Sequence, residues 1–241
     1  MTRLFHSSSI SSGQVIDLDK IPSHHLIRVL RARKGEEVIL FNGDGYEYLA
    51  EILDENAKHC QLQIKQKTKV DNESPLNIIL LQGVSRGDRM DTSIQKSVEL
   101  GVHAITPLLC QRTGTNLKGE RAEKKSGHWR QIAISACEQS GRCVIPDIQP
   151  AVDFMQAIPT ITSDHKLILA PAAASSIKSI ERPERDTYIL IGPEGGFTQE
   201  EIRHAMNYGF IPISLGPRIL RTETAGPACI AIAQALWGDL G

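Results

Sequence analysis

The chain has 241 residues, of which 41% are hydrophobic and 23% charged, enough for one large domain or two modest ones with a real core. Its 27 basic residues face 28 acidic ones, and a net charge of -1 excludes a protein held to nucleic acid by bulk charge. No apolar run approaches the roughly 18 residues of a membrane span, the N-terminus lacks the apolar core of a secretion signal, and five cysteines without a C-x-x-C pair predict neither a disulfide framework nor a metal site. The expectation is a cytoplasmic, reduced, metal-free globular protein.

The first 70 or so residues alternate short apolar runs with turns. A helix is predicted from about His24 to Ala32, and a strand over Val38–Phe41. Tyr46, Tyr48, Ala50 and Ile52 follow at a spacing of two, the period of a half-buried strand. Between the two strands, Asn42-Gly43-Asp44-Gly45 supplies the positive φ of a tight hairpin, and Leu62 and Ile64 mark a further strand. Basic residues cluster here at Arg28, Arg31, Arg33 and Lys34, and again at Lys65, Lys67 and Lys69. This part predicts a small β-barrel or sheet. The polar stretch Asp71-Asn72-Glu73-Ser74-Pro75 is the predicted linker, with domains at 1–72 and 73–241.

Beyond the linker, strands and helices alternate. Leu76–Leu81 is a continuous apolar run, as in a strand covered on both faces. A helix over Asp91–Leu100 is stopped by Gly101, and Ala104-Ile105 leads into the next strand. Trp129, Ile132, Ala133, Ala136 and Cys137 fall on one helical face. Leu167-Ile168-Leu169 and Tyr188–Ile191 read as buried strands. The alternation argues for an α/β layer fold with a mainly parallel sheet.

Three segments carry candidate chemistry. Ile191-Gly192-Pro193-Glu194-Gly195-Gly196-Phe197 joins a strand to Thr198-Gln199-Glu200-Glu201, a capping box that opens a helix. Such strand–loop–helix units place ligands in open α/β sheets. The loop has neither common phosphate fingerprint, and a carboxylate at its centre would repel a phosphate, so the ligand is expected to be neutral or cationic there. The alternative is a plain turn. After a strand over Phe210–Leu215 comes Gly216-Pro217-Arg218-Ile219-Leu220-Arg221-Thr222-Glu223-Thr224, then an almost wholly apolar helix over Ala225–Trp237. A terminal helix apolar all round predicts cover by a second subunit, hence a homodimer. Arg221 and Glu223 stand just before it as a salt bridge or as site residues. The third segment is Glu138-Gln139-Ser140-Gly141-Arg142, where Glu138 opposes the helix dipole and Arg142, four residues on, can offset it.

The two loops together, with His25–Arg31, Gln95–Gly101 and Ala136–Arg142 in the same order, resemble the RsmE family of the SPOUT superfamily, which methylates N3 of a uridine in 16S ribosomal RNA. The resemblance covers nearly the whole chain. It implies a small N-terminal PUA-like β-barrel followed by a SPOUT α/β domain with a C-terminal trefoil knot, S-adenosylmethionine as cofactor, and a homodimer that completes the active site. Carried onto this chain, the cofactor pocket is walled by Leu169, Ala170 and Pro171, by Gly192, Pro193, Glu194, Gly195 and Gly196, and by Leu215, Gly216, Ile219, Leu220 and Thr224. A glycine loop bearing Glu194 tolerates the cofactor's sulfonium cation. Methylation of uracil N3 requires loss of its proton, so Glu223 or Glu138 is the candidate base and Arg221 the candidate stabiliser of charge on the uracil oxygens. Arg3, Arg28, Arg31, Arg33, Arg86 and Arg89 are the candidate contacts to 16S rRNA, within the 30S subunit, with Lys118, Arg121, Lys124 and Lys125 as a further basic stretch. Competing readings are a SPOUT enzyme acting on the ribose of another RNA, and a non-catalytic RNA-binding assembly factor. A nicotinamide-dependent oxidoreductase fails on the missing fingerprint.

Overall fold

The computed structural model describes residues 1–114, 117–171 and 173–241. They form two compact units. One comprises Met1–Glu73 together with Cys137–Ile145, the other Ser74–Ala136 and Pro146–Gly241. The segment around Cys137 and Arg142 therefore groups with the N-terminal residues, which the linear reading did not anticipate.

The first unit is built on a five-stranded sheet. Its strands are β1 (Arg3–Phe5), β2 (Val15–Asp17), β3 (Glu37–Phe41), β4 (Tyr46–Ile52) and β5 (Gln61–Lys69). Their order is β1-β3-β4-β5-β2, with β1 parallel to β3 and the other pairs antiparallel. The period-two pattern of β4 holds: Tyr48, Ala50 and Ile52 are buried, and Ala50 and Tyr48 face Val38 and Leu40 across the β3–β4 ladder. The helix predicted at His24–Ala32 is displaced. A short helix, α1 (Lys20–His24), comes first, with Pro22 in its opening turn where a missing N–H costs nothing. A π-helical turn over His25–Val29 follows, around the fully buried Leu26. Arg31 then takes φ +58, the left-handed region, and ends the helical path.

The second unit is a parallel sheet with helices. Its elements are β6 (Ile78–Gly83), α2 (Asp88–Glu99), β7 (Ala104–Leu109), α3 (Glu120–Ser140, whose last turn belongs to the first unit), β8 (Asp147–Ile148), β9 (Val152–Asp153), α4 (Phe154–Ala157), β10 (His165–Leu169), β11 (Thr187–Ile191), α5 (Gln199–Asn207), β12 (Ile211–Ile213) and α6 (Thr222–Trp237). The order is β12-β10-β11-β6-β7-β8, with β9 also on β7, and every pairing is parallel. Every residue of β6 is buried, as its continuous apolar run requires. Several boundaries move: β6 runs Ile78–Gly83, α2 opens at Asp88, β12 is confined to Ile211–Ile213, and α6 opens at Thr222, so part of the second predicted loop is helix. Lys124 and Arg121 lie in the opening turns of α3. From the edge strand β12 the chain returns to the middle of the sheet, where α6 packs on β6, β11 and α2.

Candidate functional site

The C-terminal ends of the neighbouring strands β12, β10 and β11 release three loops, Leu215–Arg221, Leu169–Pro171 and Gly192–Phe197, and these enclose a cavity of about 740 Å³. That is the size range of small-molecule sites. Every residue of the predicted cofactor set lines it except Thr224, which lies exposed in the first turn of α6. The lining also includes residues outside the predicted cofactor set, among them Phe197, Ile202 and Thr222, and it takes in Arg89 from the start of α2.

The glycine loop is held by its neighbours. Gly196 N–H donates to the Pro193 carbonyl at 2.8 Å, closing a turn. The capping box is complete: Thr198 Oγ1 accepts from Glu201 N at 3.2 Å, and Glu201 Oε2 accepts from Thr198 N at 2.8 Å. The other Glu201 oxygen accepts from Gln111 N at 2.7 Å, and Arg112 Nη1 donates to the Gly195 carbonyl at 2.9 Å, so the loop after β7 clasps the loop after β11.

Glu194 is not a free carboxylate. Its Oε1 accepts from Arg86 N at 2.7 Å and from Arg89 Nη1 at 3.0 Å. Burial pushes its pKa up, but these hydrogen bonds outweigh that and hold it below the ordinary carboxylate value. The electrostatic argument from the sequence, which gave Glu194 an unshared negative charge, is therefore weakened by Arg89. Arg89 also lies 4.0 Å from Glu223 Oε1 through its Nε. Arg221 Nη1 is 4.0 Å from that same oxygen, a loose pair, while its side chain is 79% exposed at the cavity. Glu223 Oε2 is buried and has no hydrogen-bond partner among the described residues. An unsatisfied buried acceptor in a cavity wall is a place for a ligand's donor.

Glu138 does not line this cavity. It belongs to the first unit, where its Oε1 accepts from Phe5 N at 3.0 Å. Burial raises its pKa against the pull of that N–H. Arg142, expected to offset Glu138, is buried and pairs with Glu73 at 2.5 Å.

The candidate RNA-contacting arginines separate. Arg28, Arg31 and Arg33 are exposed around the π-helical turn, with Arg33 paired to Glu55 at 2.9 Å. Arg3 is built into its own unit: its side chain is 11% exposed, pairs with Glu47 and donates to the Gly141 carbonyl at 3.1 Å. Arg86 is exposed but donates through Nε to the Gly114 carbonyl at 2.9 Å. Arg89 serves the cavity. All five cysteines are free and buried. Among the described residues, no group of three His, Cys, Asp or Glu is arranged to hold a metal ion, and no helix is long and apolar enough to cross a membrane.

Comparison with known proteins puts this geometry in context. Residues 72–234 match the family model of an RNA methyltransferase domain, and residues 23–65 that of an RNA methyltransferase PUA domain. A ribosomal RNA small subunit methyltransferase E from Buchnera aphidicola is 40% identical over 99% of this chain and 97% of its own length. The Bacillus subtilis protein of the same name is 31% identical over 84% of this chain and 82% of its own. Among solved structures, a putative methyltransferase from Legionella pneumophila in complex with its cofactor SAM superposes with a TM-score of 0.96 at 41% identity, covering 99% of both chains. A ribosomal RNA small subunit methyltransferase E from Neisseria gonorrhoeae, bound to S-adenosyl methionine, superposes with a TM-score of 0.93 at 41% identity over the whole of both chains.

Proposed function

This chain belongs to the ribosomal RNA small subunit methyltransferase E family, and from that premise we propose that it transfers a methyl group from S-adenosylmethionine to N3 of one uridine in 16S rRNA. The observation that carries the reading is the three-loop cavity. Its walls from Leu169, Ile191, Leu215 and Leu220 suit an apolar nucleoside face, its volume suits a nucleoside with an amino-acid arm, and its lining includes Glu223, one oxygen of which has no partner among the described residues.

When bound, S-adenosylmethionine supplies an electrophilic methyl group on a sulfonium centre. The protein's part is to position the uracil in line with it and to take the N3 proton. Glu223 Oε2 is the acceptor we assign, because Glu223 lines the cavity and this oxygen has no hydrogen-bond partner among the described residues. Glu138, tied to Phe5 N in the first unit, is the weaker candidate. Arg221 reaches solvent at the same wall and suits charge developing on the uracil oxygens. Arg28, Arg31 and Arg33, around the π-helical turn of the N-terminal unit that we read as PUA-like, serve as phosphate contacts.

The reading includes a C-terminal trefoil knot and a homodimer. The return of the chain from edge strand β12 to the sheet centre, through a loop that shares one cavity with two others, supports the knot. The outward face of α6 supports the dimer.

The test is to incubate the protein with labelled S-adenosylmethionine and either unmodified 30S subunits or free 16S rRNA, then locate the label. A methyl group on uracil N3 is expected; label on a ribose, or none, overturns the assignment. Arg221→Ala should lower kcat roughly a hundredfold while the cofactor dissociation constant stays within about twofold.

A further inference from the structure

Gln82 is the one polar side chain of β6 and is fully buried, at the end of the strand beside the cavity loops. Its Nε2 donates twice, to Thr222 Oγ1 at 3.0 Å and to the Gly83 carbonyl at 3.1 Å. The Thr222 hydroxyl accepts this bond and donates its own proton to the Gly192 carbonyl at 2.7 Å. A continuous chain of hydrogen bonds thus runs from the central strand, through the first residue of α6, to the first residue of the glycine loop.

The Gly192 carbonyl matters because the next residue is proline. Pro193 has no N–H, so that carbonyl is the only backbone hydrogen-bonding group of the Gly192–Pro193 peptide unit. The other side of the unit is held by shape. A Cβ on Gly83 would lie 2.5 Å from Pro193 N, so only glycine lets the two backbones meet there. On the helix side, a Cβ on Gly226 would lie 3.2 Å from Gln82 Oε1. The peptide plane from which Glu194, Gly195 and Gly196 emerge is gripped at both ends. Low polarity around a buried chain of this kind strengthens each bond in it.

We propose that Gln82 and Thr222 are positioning residues, forming a buried relay that sets the orientation of the glycine loop and so the affinity of the cavity for S-adenosylmethionine. This rests on the reading of the cavity given above. It assigns the Thr222 hydroxyl a task in the glycine loop, and gives Gln82 a reason to interrupt an otherwise apolar strand.

Thr222→Val keeps shape and removes the hydroxyl, whereas Thr222→Ser keeps the hydroxyl. Calorimetry with S-adenosylmethionine should show the Val variant about tenfold weaker than wild type, and the Ser variant within about threefold. The unliganded melting temperature of the Val variant should fall by a few degrees, because the Gly192 carbonyl loses its buried donor, so affinities are compared at a temperature where both variants are folded. At saturating cofactor kcat should be retained while KM for the cofactor rises, a split that general loosening of the fold does not produce. Wild-type affinity in Thr222→Val overturns the relay, as does a Ser variant as weak as the Val variant. If Thr222→Val does not fold, Gln82→Met carries the test, and an affinity equal to wild type overturns the proposal. Failure of the wild-type protein itself to bind overturns the cofactor reading instead, a distinguishable result.

Discussion

Arg31 is the only described non-glycine residue with a positive φ, and it follows Leu30, the C-cap of a π-helical turn, itself an uncommon conformation. A long side chain in the left-handed region costs about 1–2 kcal/mol, while glycine there avoids the steric term but gives back part of the gain in chain entropy. Arg31→Gly should therefore raise unfolding free energy by up to about 1 kcal/mol in urea titrations. If Arg31 contacts phosphate, the same change should weaken binding to 16S rRNA and lower its salt slope by about one. A stabilised variant with undiminished RNA affinity would remove Arg31 from the contact surface. Glu138 makes the opposite kind of case. Its pKa in the folded protein is raised, chiefly by burial. The folded state then binds more protons than the unfolded state just above the ordinary carboxylate value, so this group's contribution to stability falls as pH rises through that window. Glu138→Gln keeps an acceptor for Phe5 N and removes the buried charge. Its melting temperature should exceed that of wild type at pH 7.5, with the difference closing as the pH is lowered through the carboxylate range; a difference independent of pH would contradict the sign.

Among the elements, α5 shows most directly how local chemistry places the site. Its capping box was legible because Thr198 and Glu201 stand three apart before an apolar face. The second task of Glu201 was not legible, since its bond to Gln111 N joins residues 90 positions apart and only the fold brings them together. Thr198→Ala should cost about 1 kcal/mol, the usual loss of a cap. Glu201→Ala strands two N–H groups in a buried setting and should cost roughly 3 kcal/mol, read from chemical denaturation. Equal costs would mean that the bond to Gln111 adds nothing. The same limit explains other differences. The strand β6 could be read from its apolar run, but the partner that Gln82 finds in Thr222 lies 140 positions away. The helix predicted from His24 was shifted because burial of Leu26 and the left-handed Arg31, not propensity, decide where that turn ends. The sequence makes Arg89 a candidate rRNA contact, and two carboxylates distant in sequence claim it, Glu194 of the glycine loop and Glu223 of α6.

At the scale of the whole molecule, the near-zero net charge and the face of α6 bear on assembly. The sequence suggested a helix apolar all round, and the structure divides it. Ala225, Cys229, Ile230, Ala233 and Trp237 are buried. Ala228, Ala231 and Ile232 are half-buried, and Thr224, Ala235 and Leu236 are exposed, so an apolar stripe of mostly small residues is left facing outward. Ile219, in the cavity wall near the start of this helix, is 85% exposed. Apolar groups so placed gain about 25 cal/mol per Å² when covered, and a second copy of the chain packing α6 against α6 would cover them. That arrangement also gives Thr224, the one predicted cofactor residue outside the cavity lining, a position at the proposed interface. Ala235→Arg tests this without touching the core, because the side chain it replaces is already exposed. In sedimentation equilibrium the wild-type protein should behave as a dimer and Ala235→Arg should shift it toward monomer. Its melting temperature should also become lower and less dependent on protein concentration, because the mass-action stabilisation fades as the dimer weakens. A wild-type protein that sediments as a monomer would overturn the dimer. A dimer indifferent to Ala235→Arg would place the interface on another surface.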